Sequence, residues 1–212
     1  MKLFLALGLP ALLLSGVAAA VAPENELMSG TTFSSDPALG LHQLHEFAEC
    51  AANRYPKVVS RWIDLPAKEA GDKVGEFTTD TFECTSGLVA VRTSAGFLRG
   101  GLVEALYLRA TKRSSQADEI QAALHRLNFA SGDYHQLPLC VAQRDFAQAD
   151  GFLRTYPATK GETAALDAMT PAIRACATEL KARIPAQSTF RATLADVLYS
   201  ALSQIQPAGP KK

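Results

Sequence analysis

The amino-acid sequence predicts a mainly α-helical protein in which two tandem copies of a disulfide-clamped helical unit pack as one globular body. Apolar residues recur at intervals of three and four along most of the chain, which is the period of an amphipathic helix. The chain also resembles itself at an offset of about ninety residues. Each of the two similar stretches carries two of the four cysteines.

The first residues have the pattern of an export signal. An apolar run follows Lys2, and small residues continue to Ala22. Because Ala18 and Ala20 satisfy the small-residue rule for signal cleavage, we expect the chain to be cut after Ala20. A retained membrane anchor is the alternative, but the apolar run is shorter than the roughly 20 residues that cross a bilayer.

The net charge of the chain limits its possible partners. Removal of residues 1–20 takes away Lys2 and leaves 20 basic and 21 acidic residues, a net charge of −1. This balance gives no electrostatic footprint for nucleic acid or for an anionic membrane surface. We expect no nucleic-acid partner and, after signal removal, no transmembrane segment.

The duplication is carried by residues in matching register. The segment Cys50-Ala-Ala-Asn-Arg54 aligns with Cys140-Val-Ala-Gln-Arg144, and Trp62-Ile63 aligns with Phe152-Leu153. Cys84 and Cys176 each precede an arginine by fifteen residues, and the segments that begin there read Arg99-Gly-Gly-Leu-Val-Glu-Ala-Leu-Tyr107 and Arg191-Ala-Thr-Leu-Ala-Asp-Val-Leu-Tyr199.

Duplication favours pairing of the cysteines within each copy, Cys50 with Cys84 and Cys140 with Cys176. An exchange between the copies would also treat them alike, and four free buried thiols are a third possibility. Pairing within each copy closes loops of 34 and 36 residues. Each such bridge stabilises the folded chain by about 3–4 kcal/mol in the loop-entropy model.

We divide the chain into a signal peptide at 1–20, a flexible lead at 21–37, helical repeat 1 at 38–110, a linker with one helix at 111–133, helical repeat 2 at 134–205 and a disordered tail at 206–212. Helices are predicted at about 38–55, 56–65, 95–108, 115–128, 137–144, 146–155, 162–180 (bent at Pro171) and 189–205. Ser94 and Ser115 are the expected N-caps of two of them. Residues 67–85 are ambiguous between helix and strand, and 88–92 have a short β-like pattern.

Four arginines at matched positions are the candidate binding residues. Arg99 and Arg191 lie near the start of their predicted helices, where the helix dipole disfavours a cation, so we expect acidic partners. The candidates are acidic residues of the same half, which are Glu46 or Glu49 for Arg99 and Asp145 or Asp150 for Arg191. Arg54 and Arg144 could likewise meet Glu104 and Asp196. Either these arginines hold helices together or they bind an anionic ligand.

We assign no catalytic residue, no metal site and no cofactor. His42 and His45 are three apart beside Glu46, an order unlike the H-E-x-x-H of zinc proteases, and indicate a polar helix edge. His125 and His135 occur singly without a predictable partner. No nucleophile elbow, P-loop or dinucleotide-binding motif occurs. We expect Gly100-Gly101 to allow close helix packing.

With these cysteine and arginine motifs, the chain resembles a group of exported alphaproteobacterial proteins that use one two-cysteine helical unit twice. The resemblance covers most of Ala48 to Tyr199 and brings no known activity. It implies a bacterial periplasm or exterior as the compartment. Two functions remain as hypotheses: a non-enzymatic module that binds an envelope protein or a small molecule, and an envelope hydrolase with active residues in 67–93 or 109–137.

Overall fold

The computed structural model describes residues 36–85, 94–112 and 116–205, and within them the chain is helical without a strand. Its helices are α1 (Pro37–Arg54), α2 (Pro56–Ile63), α3 (Ala67–Asp72), α4 (Val74–Asp80), α5 (Phe82–Thr85), α6 (Ala95–Thr111), α7 (Ala117–Leu124), α8 (Gln136–Arg144), α9 (Phe146–Leu153), α10 (Lys160–Leu180) and α11 (Gln187–Ile205). The mainly α fold class is confirmed. The predicted signal peptide, the tail and the β-like stretch 88–92 lie outside the described residues.

Local capping explains where the long helices begin. Asp36 accepts a hydrogen bond from the Ala38 N–H at the start of α1, at 2.9 Å. Ser94 accepts one from the Phe97 N–H at 3.3 Å, which confirms it as the N-cap of α6. Such caps satisfy N–H groups that have no partner inside the helix.

Some sequence predictions differ from the structure. The ambiguous stretch 67–85 forms the three short helices α3, α4 and α5. Helix α7 begins at Ala117, after Gln116, and Ser115 lies outside the described residues. It ends at Leu124, four residues earlier than predicted. Pro171 lies inside α10 without ending it.

Both disulfides join helices of one half. Cys50 of α1 is bonded to Cys84 of α5, and Cys140 of α8 is bonded to Cys176 of α10. The predicted pairing is therefore confirmed, and exchange between the halves is excluded. Each bridge ties one helix to a later helix of the same half, α1 to α5 and α8 to α10.

An exposed ion pair lies near each bridge. Arg54 Nη1 is 2.7 Å from Glu83 Oε2, and Arg144 pairs with Glu179. Arg54 and Arg144 therefore meet acidic residues near the bridges, and the alternative pairing with Glu104 and Asp196 is wrong.

Helices α6 and α11 pack against each other at the centre of the molecule. A Cβ added at Gly100 would lie 2.5 Å from the Cβ of Ala192 and 2.9 Å from its Cα, so the two backbones touch there. Gly100 and Ala192 follow the matched arginines of the two halves. The expectation that Gly100 permits close helix packing is confirmed.

The core consists of two apolar clusters that meet at this central pair. The first is built mainly from α1 to α6 and the second mainly from α7 to α11, and Tyr199 packs against both. The aligned aromatic residues Trp62 and Phe152 are both buried, one in each cluster. Tyr107 of α6 belongs to the second cluster, so the halves share their cores.

Corresponding residues of the two halves make corresponding contacts. The Tyr107 hydroxyl donates to Asp150 of α9 at 2.7 Å, and Tyr199 interacts with the Ser60 side chain of α2. Ser60 and Asp150 are aligned when the sequence is laid on itself. These crossed contacts agree with a two-fold arrangement of related units, and the duplication itself stays a prediction.

Candidate functional site

A cavity of about 530 Å³ lies where the two halves meet. It is bounded by the first turns of α1, α6, α10 and α11 and by the segment 157–159. Its volume falls in the range of about 300–1,000 Å³ that is usual for small-molecule sites. The place and size of this space make it the candidate functional site.

The cavity has apolar walls and a charged floor. The apolar lining residues are Pro37, Ala38, Leu41, Leu44, Phe97, Pro157, Ala158 and Ala192. The floor consists of Glu104, Glu162 and Arg191, whose exposed fractions are 4%, 2% and 5%. Charged residues this deeply buried are stable only when they are paired and hydrogen-bonded.

Arg191 organises the floor. Its Nε donates to Glu104 Oε2 at 2.8 Å and its Nη2 to Glu104 Oε1 at 2.7 Å, which is the bidentate geometry that guanidinium and carboxylate groups favour. Its Nη1 donates to Glu162 Oε1 at 3.0 Å. The arginine therefore bridges α6 of the first half and α10 of the second.

The remaining guanidinium hydrogens are directed at the C-terminal end of α9. Arg191 Nη2 donates to the carbonyls of Leu153 and Thr155, and Nη1 to the carbonyl of Phe152 and the Thr155 hydroxyl. Carbonyls at a helix C-terminus lack partners within the helix and carry partial negative charge. All five guanidinium N–H groups are consequently directed at acceptors of the chain itself.

Glu162 is held at the beginning of α10. Its Oε2 accepts the Ala158 N–H at 2.7 Å, while its own N–H donates to the Thr159 hydroxyl at 3.3 Å. This reciprocal arrangement is a variant of the capping box, and the helix N-terminus favours the carboxylate.

His45 stands between two carboxylates at the side of the cavity. Its Nδ1 lies 3.5 Å from Glu104 Oε1, and its Nε2 lies 3.7 Å from Glu49 Oε1. The Tyr156 ring packs edge-on against it, with ring centres 5.0 Å apart. The neighbouring His42 Nε2 is 2.8 Å from the Pro157 carbonyl oxygen. Through these contacts with Tyr156 and Pro157, the two histidines connect α1 to the segment that closes one side of the cavity.

A related cluster lies at the corresponding place in the other half. Arg99 Nε is 3.5 Å from Asp196 Oδ1, and Arg99 donates to the Ile63 carbonyl, just as Arg191 donates to that of Leu153. His135 Nε2 is 3.6 Å from Asp196 Oδ2. Each cluster thus takes its histidine and carboxylate from one half and its arginine from the other.

Neighbouring groups hold His135 in place. Its Nδ1 lies 2.7 Å from Asp133 Oδ1, and the Phe129 ring stacks on it with centres 4.8 Å apart. Burial alone would lower the pKa of His135, but Asp196 and Asp133 outweigh burial, so the pKa lies above its ordinary value of 6.5. A backbone hydrogen bond from His135 in turn lowers the pKa of Asp133.

We predict that the stabilising contribution of His135 depends on pH. Because its pKa is higher in the folded chain than in the unfolded chain, the contribution is complete below about pH 6.5 and is lost as the pH rises through the raised pKa. In urea unfolding at a series of pH values, His135→Gln should lose most stability relative to wild type at the acid end. A gap that widens toward alkaline pH would contradict this prediction. As a control, Asp133→Asn should lower the His135 pKa measured by NMR titration.

The structure separates the four candidate arginines. Only Arg191 lines the cavity, whereas Arg99 lies in the related cluster and Arg54 and Arg144 form exposed pairs. The named partners are wrong: Arg99 meets Asp196, and Arg191 meets Glu104 and, within its own half, Glu162. Helices α6 and α11 pack against each other, so each arginine reaches an acidic residue of the opposite helix. The binding role of these arginines stays a prediction.

Sequence reasoning did not place Glu104 or Glu162 against Arg191, nor His45 against Glu104. It also left His135 without a partner. The offset of ninety residues that aligns Cys50 with Cys140 also aligns His45 with His135. This match could have indicated that the two histidines occupy corresponding places in the two halves. Glu162 had no such signal, because its contact depends on how α10 packs.

Two further findings concern the described part of the chain. No group of three or more histidine, cysteine or acidic side chains in it is arranged to hold a metal ion. None of its helices combines the length and hydropathy needed to cross a membrane.

The fold and the site together define an α-helical protein with two disulfides. A cavity with a charged floor lies between its two halves. Comparison of the chain with models of known protein families, with curated proteins and with solved structures found no match.

Proposed function

We propose that this chain is a non-enzymatic small-molecule-binding protein that works outside the cytoplasm. The observation that carries the proposal is the cavity of about 530 Å³ between the halves, with apolar walls and a buried polar floor. Small-molecule sites typically combine an apolar lining with a few convergent polar groups. The two disulfides and the signal-like first residues support an oxidising compartment.

The arrangement of the floor favours binding over catalysis. Glu104 is engaged by two guanidinium nitrogens, and Glu162 is engaged by Arg191 and by a backbone N–H. A general acid or base must be able to give or take a proton at a reacting atom, whereas these carboxylates serve an internal ion pair. The floor therefore acts as a rigid polar surface against which a ligand can lie.

The second candidate function is an envelope hydrolase. Active residues were expected in the segments 67–93 and 109–137, and none of the residues that the structure describes in these segments lines the cavity. The observation that favours a hydrolase is the 3.5 Å approach of His45 Nδ1 to Glu104, since a carboxylate can orient a histidine that acts as a base. Turnover of ester or amide substrates that is abolished by His45→Gln in a folded protein would favour this candidate.

A pair of substitutions on one helix tests the binding proposal. Thr163 lines the cavity mouth and Thr178 is exposed farther along α10, and both hydroxyls donate to the carbonyl four residues earlier. Thr163→Phe should block the cavity, and Thr178→Phe is the matched control. Binding of a neutral, environment-sensitive naphthalene dye, followed by fluorescence, should weaken at least about tenfold in Thr163→Phe alone.

Native mass spectrometry of the protein purified from its own host gives an independent readout. We expect a small molecule to remain bound to wild type and Thr178→Phe and to be absent from Thr163→Phe. Dye binding that is equal in all three proteins, or absent from all three, would contradict the proposal.

A further inference from the structure

We infer that the cavity takes an amphipathic ligand with an apolar body and a primary ammonium group that lies against the floor. This inference rests on the proposed binding function and names the class of its ligand. It follows from counting the hydrogen-bond donors, acceptors and formal charges that the floor offers.

The guanidinium of Arg191 has no donor to spare. Its five N–H groups face seven acceptor contacts: two oxygens of Glu104, one of Glu162, and four oxygens of Phe152, Leu153 and Thr155. A ligand carboxylate could reach this arginine only by displacing one of those acceptors. Displacement would leave a buried oxygen without a partner, which is costly.

The carboxylates retain acceptor capacity. Each carboxylate oxygen can accept about two hydrogen bonds. Glu162 Oε1 accepts from Arg191, and Glu162 Oε2 accepts from the Ala158 N–H. Glu104 Oε2 accepts from Arg191 Nε. The floor can therefore receive further hydrogen bonds from a donor, and an ammonium group supplies three.

The formal charge of the floor points the same way. Glu104 and Glu162 carry two negative charges against the single positive charge of Arg191, and all three are almost fully buried. Buried charge that lacks a counter-charge is unfavourable, and a ligand cation placed here would supply that counter-charge. His45, whose Nδ1 lies 3.5 Å from Glu104 Oε1, lines the cavity beside this floor.

Unlike the floor, the mouth of the cavity favours a negatively charged group. A carboxylate ligand is therefore the competitor against which the ammonium preference must be tested. Helices α1, α6, α10 and α11 all begin there, and Lys160 lies at the rim. Helix N-termini carry partial positive charge, but the effect fades within the first turn. At α1, α6 and α10 the side chains of Asp36, Ser94 and Thr159 already accept from backbone N–H groups. The floor, whose three charged residues are almost fully buried, should therefore decide the preference.

Three probes of equal length test the inference: n-hexylammonium, 1-hexanol and hexanoate. In isothermal titration of the full disulfide-linked protein near neutral pH, we expect n-hexylammonium to bind at least about tenfold more tightly than hexanoate. 1-Hexanol should be intermediate, because it donates one hydrogen bond without charge. Thr163→Phe should abolish hexylammonium binding and Thr178→Phe should not.

The outcomes distinguish this inference from the proposed function. Equal or tighter binding of hexanoate would overturn the ligand class and leave the cavity as a binding site. Binding of the naphthalene dye without any hexylammonium binding would also overturn the ligand class and leave the cavity as a binding site. If neither dye nor probe binds, the proposed function fails as well.

A substitution in the floor adds a second test. Glu104→Gln removes one formal negative charge and should lower hexylammonium affinity at least about tenfold while leaving 1-hexanol affinity within a factor of about three. An equal loss for both probes, or no loss for either, would contradict a charge-based preference. If this variant does not fold by circular dichroism, the comparison of the three probes on wild type decides alone.

Discussion

Replacing Arg191 by methionine should lower the free energy of unfolding by about 3–5 kcal/mol. The substitution keeps much of the side-chain volume but leaves Glu104 and Glu162 buried without their counter-charge. It also removes the hydrogen bonds that the guanidinium donates to the Leu153 and Thr155 carbonyls. A loss of this size is a large part of the roughly 5–15 kcal/mol that stabilises a typical domain.

Arg144→Met is the matched control for this prediction. Arg144 pairs with Glu179 on the surface, where both side chains are about half exposed. Exposed pairs contribute about 0–1 kcal/mol, so the control should stay close to wild type. Urea unfolding with both disulfides intact measures the two variants. Similar losses of unfolding free energy in Arg191→Met and Arg144→Met would contradict a stabilising role of the buried cluster.

Gly100→Ala should destabilise the protein by about 1–3 kcal/mol, although alanine is the better helix former. The added Cβ would lie 2.9 Å from the Ala192 Cα, and a backbone atom cannot move aside as a flexible side chain can. Helices α6 and α11 must separate to accept it, which loosens the shared core on both sides.

Gly151→Ala provides the control with the opposite sign. Gly151 lies inside α9, and a Cβ added there would meet nothing within 4 Å. This variant should gain about 0.5–1 kcal/mol from the reduced backbone entropy of its unfolded chain. Thermal unfolding of both variants checks the prediction. A neutral or stabilising Gly100→Ala would mean that α6 and α11 do not pack this closely.

Helix positions could be predicted wherever local chemistry decides them. Pro56 starts α2 and Ser94 caps α6, and both effects depend on neighbouring atoms of the same chain segment. The stretch 67–85 was ambiguous because helices of four to seven residues are too short to show a helical period. Burial of Ala70, Val74 and Phe77 against the first core stabilises them there.

The candidate site was predicted only in part. Arg191 stood out as a cation near the start of a helix, but its partner Glu104 lies 87 residues away. Local spacing favoured other acidic residues of the same half, whereas the packing of α6 against α11 brings Glu104 to Arg191 and Asp196 to Arg99. Glu162 could not be found from its own surroundings, where it is one more acidic residue in the first turn of a helix.

By itself, the amino-acid sequence determined the helical class and the Ser94 cap of α6. The register of the matching segments favoured the cysteine pairing that the structure confirms. Only the tertiary structure decided which carboxylates meet Arg191 and that a cavity remains above them. Capping and helical periodicity act over a few neighbouring residues. Ion-pair partners and empty space between helices depend on how distant surfaces pack, because a buried charge is satisfied by whatever group the fold brings within hydrogen-bond reach.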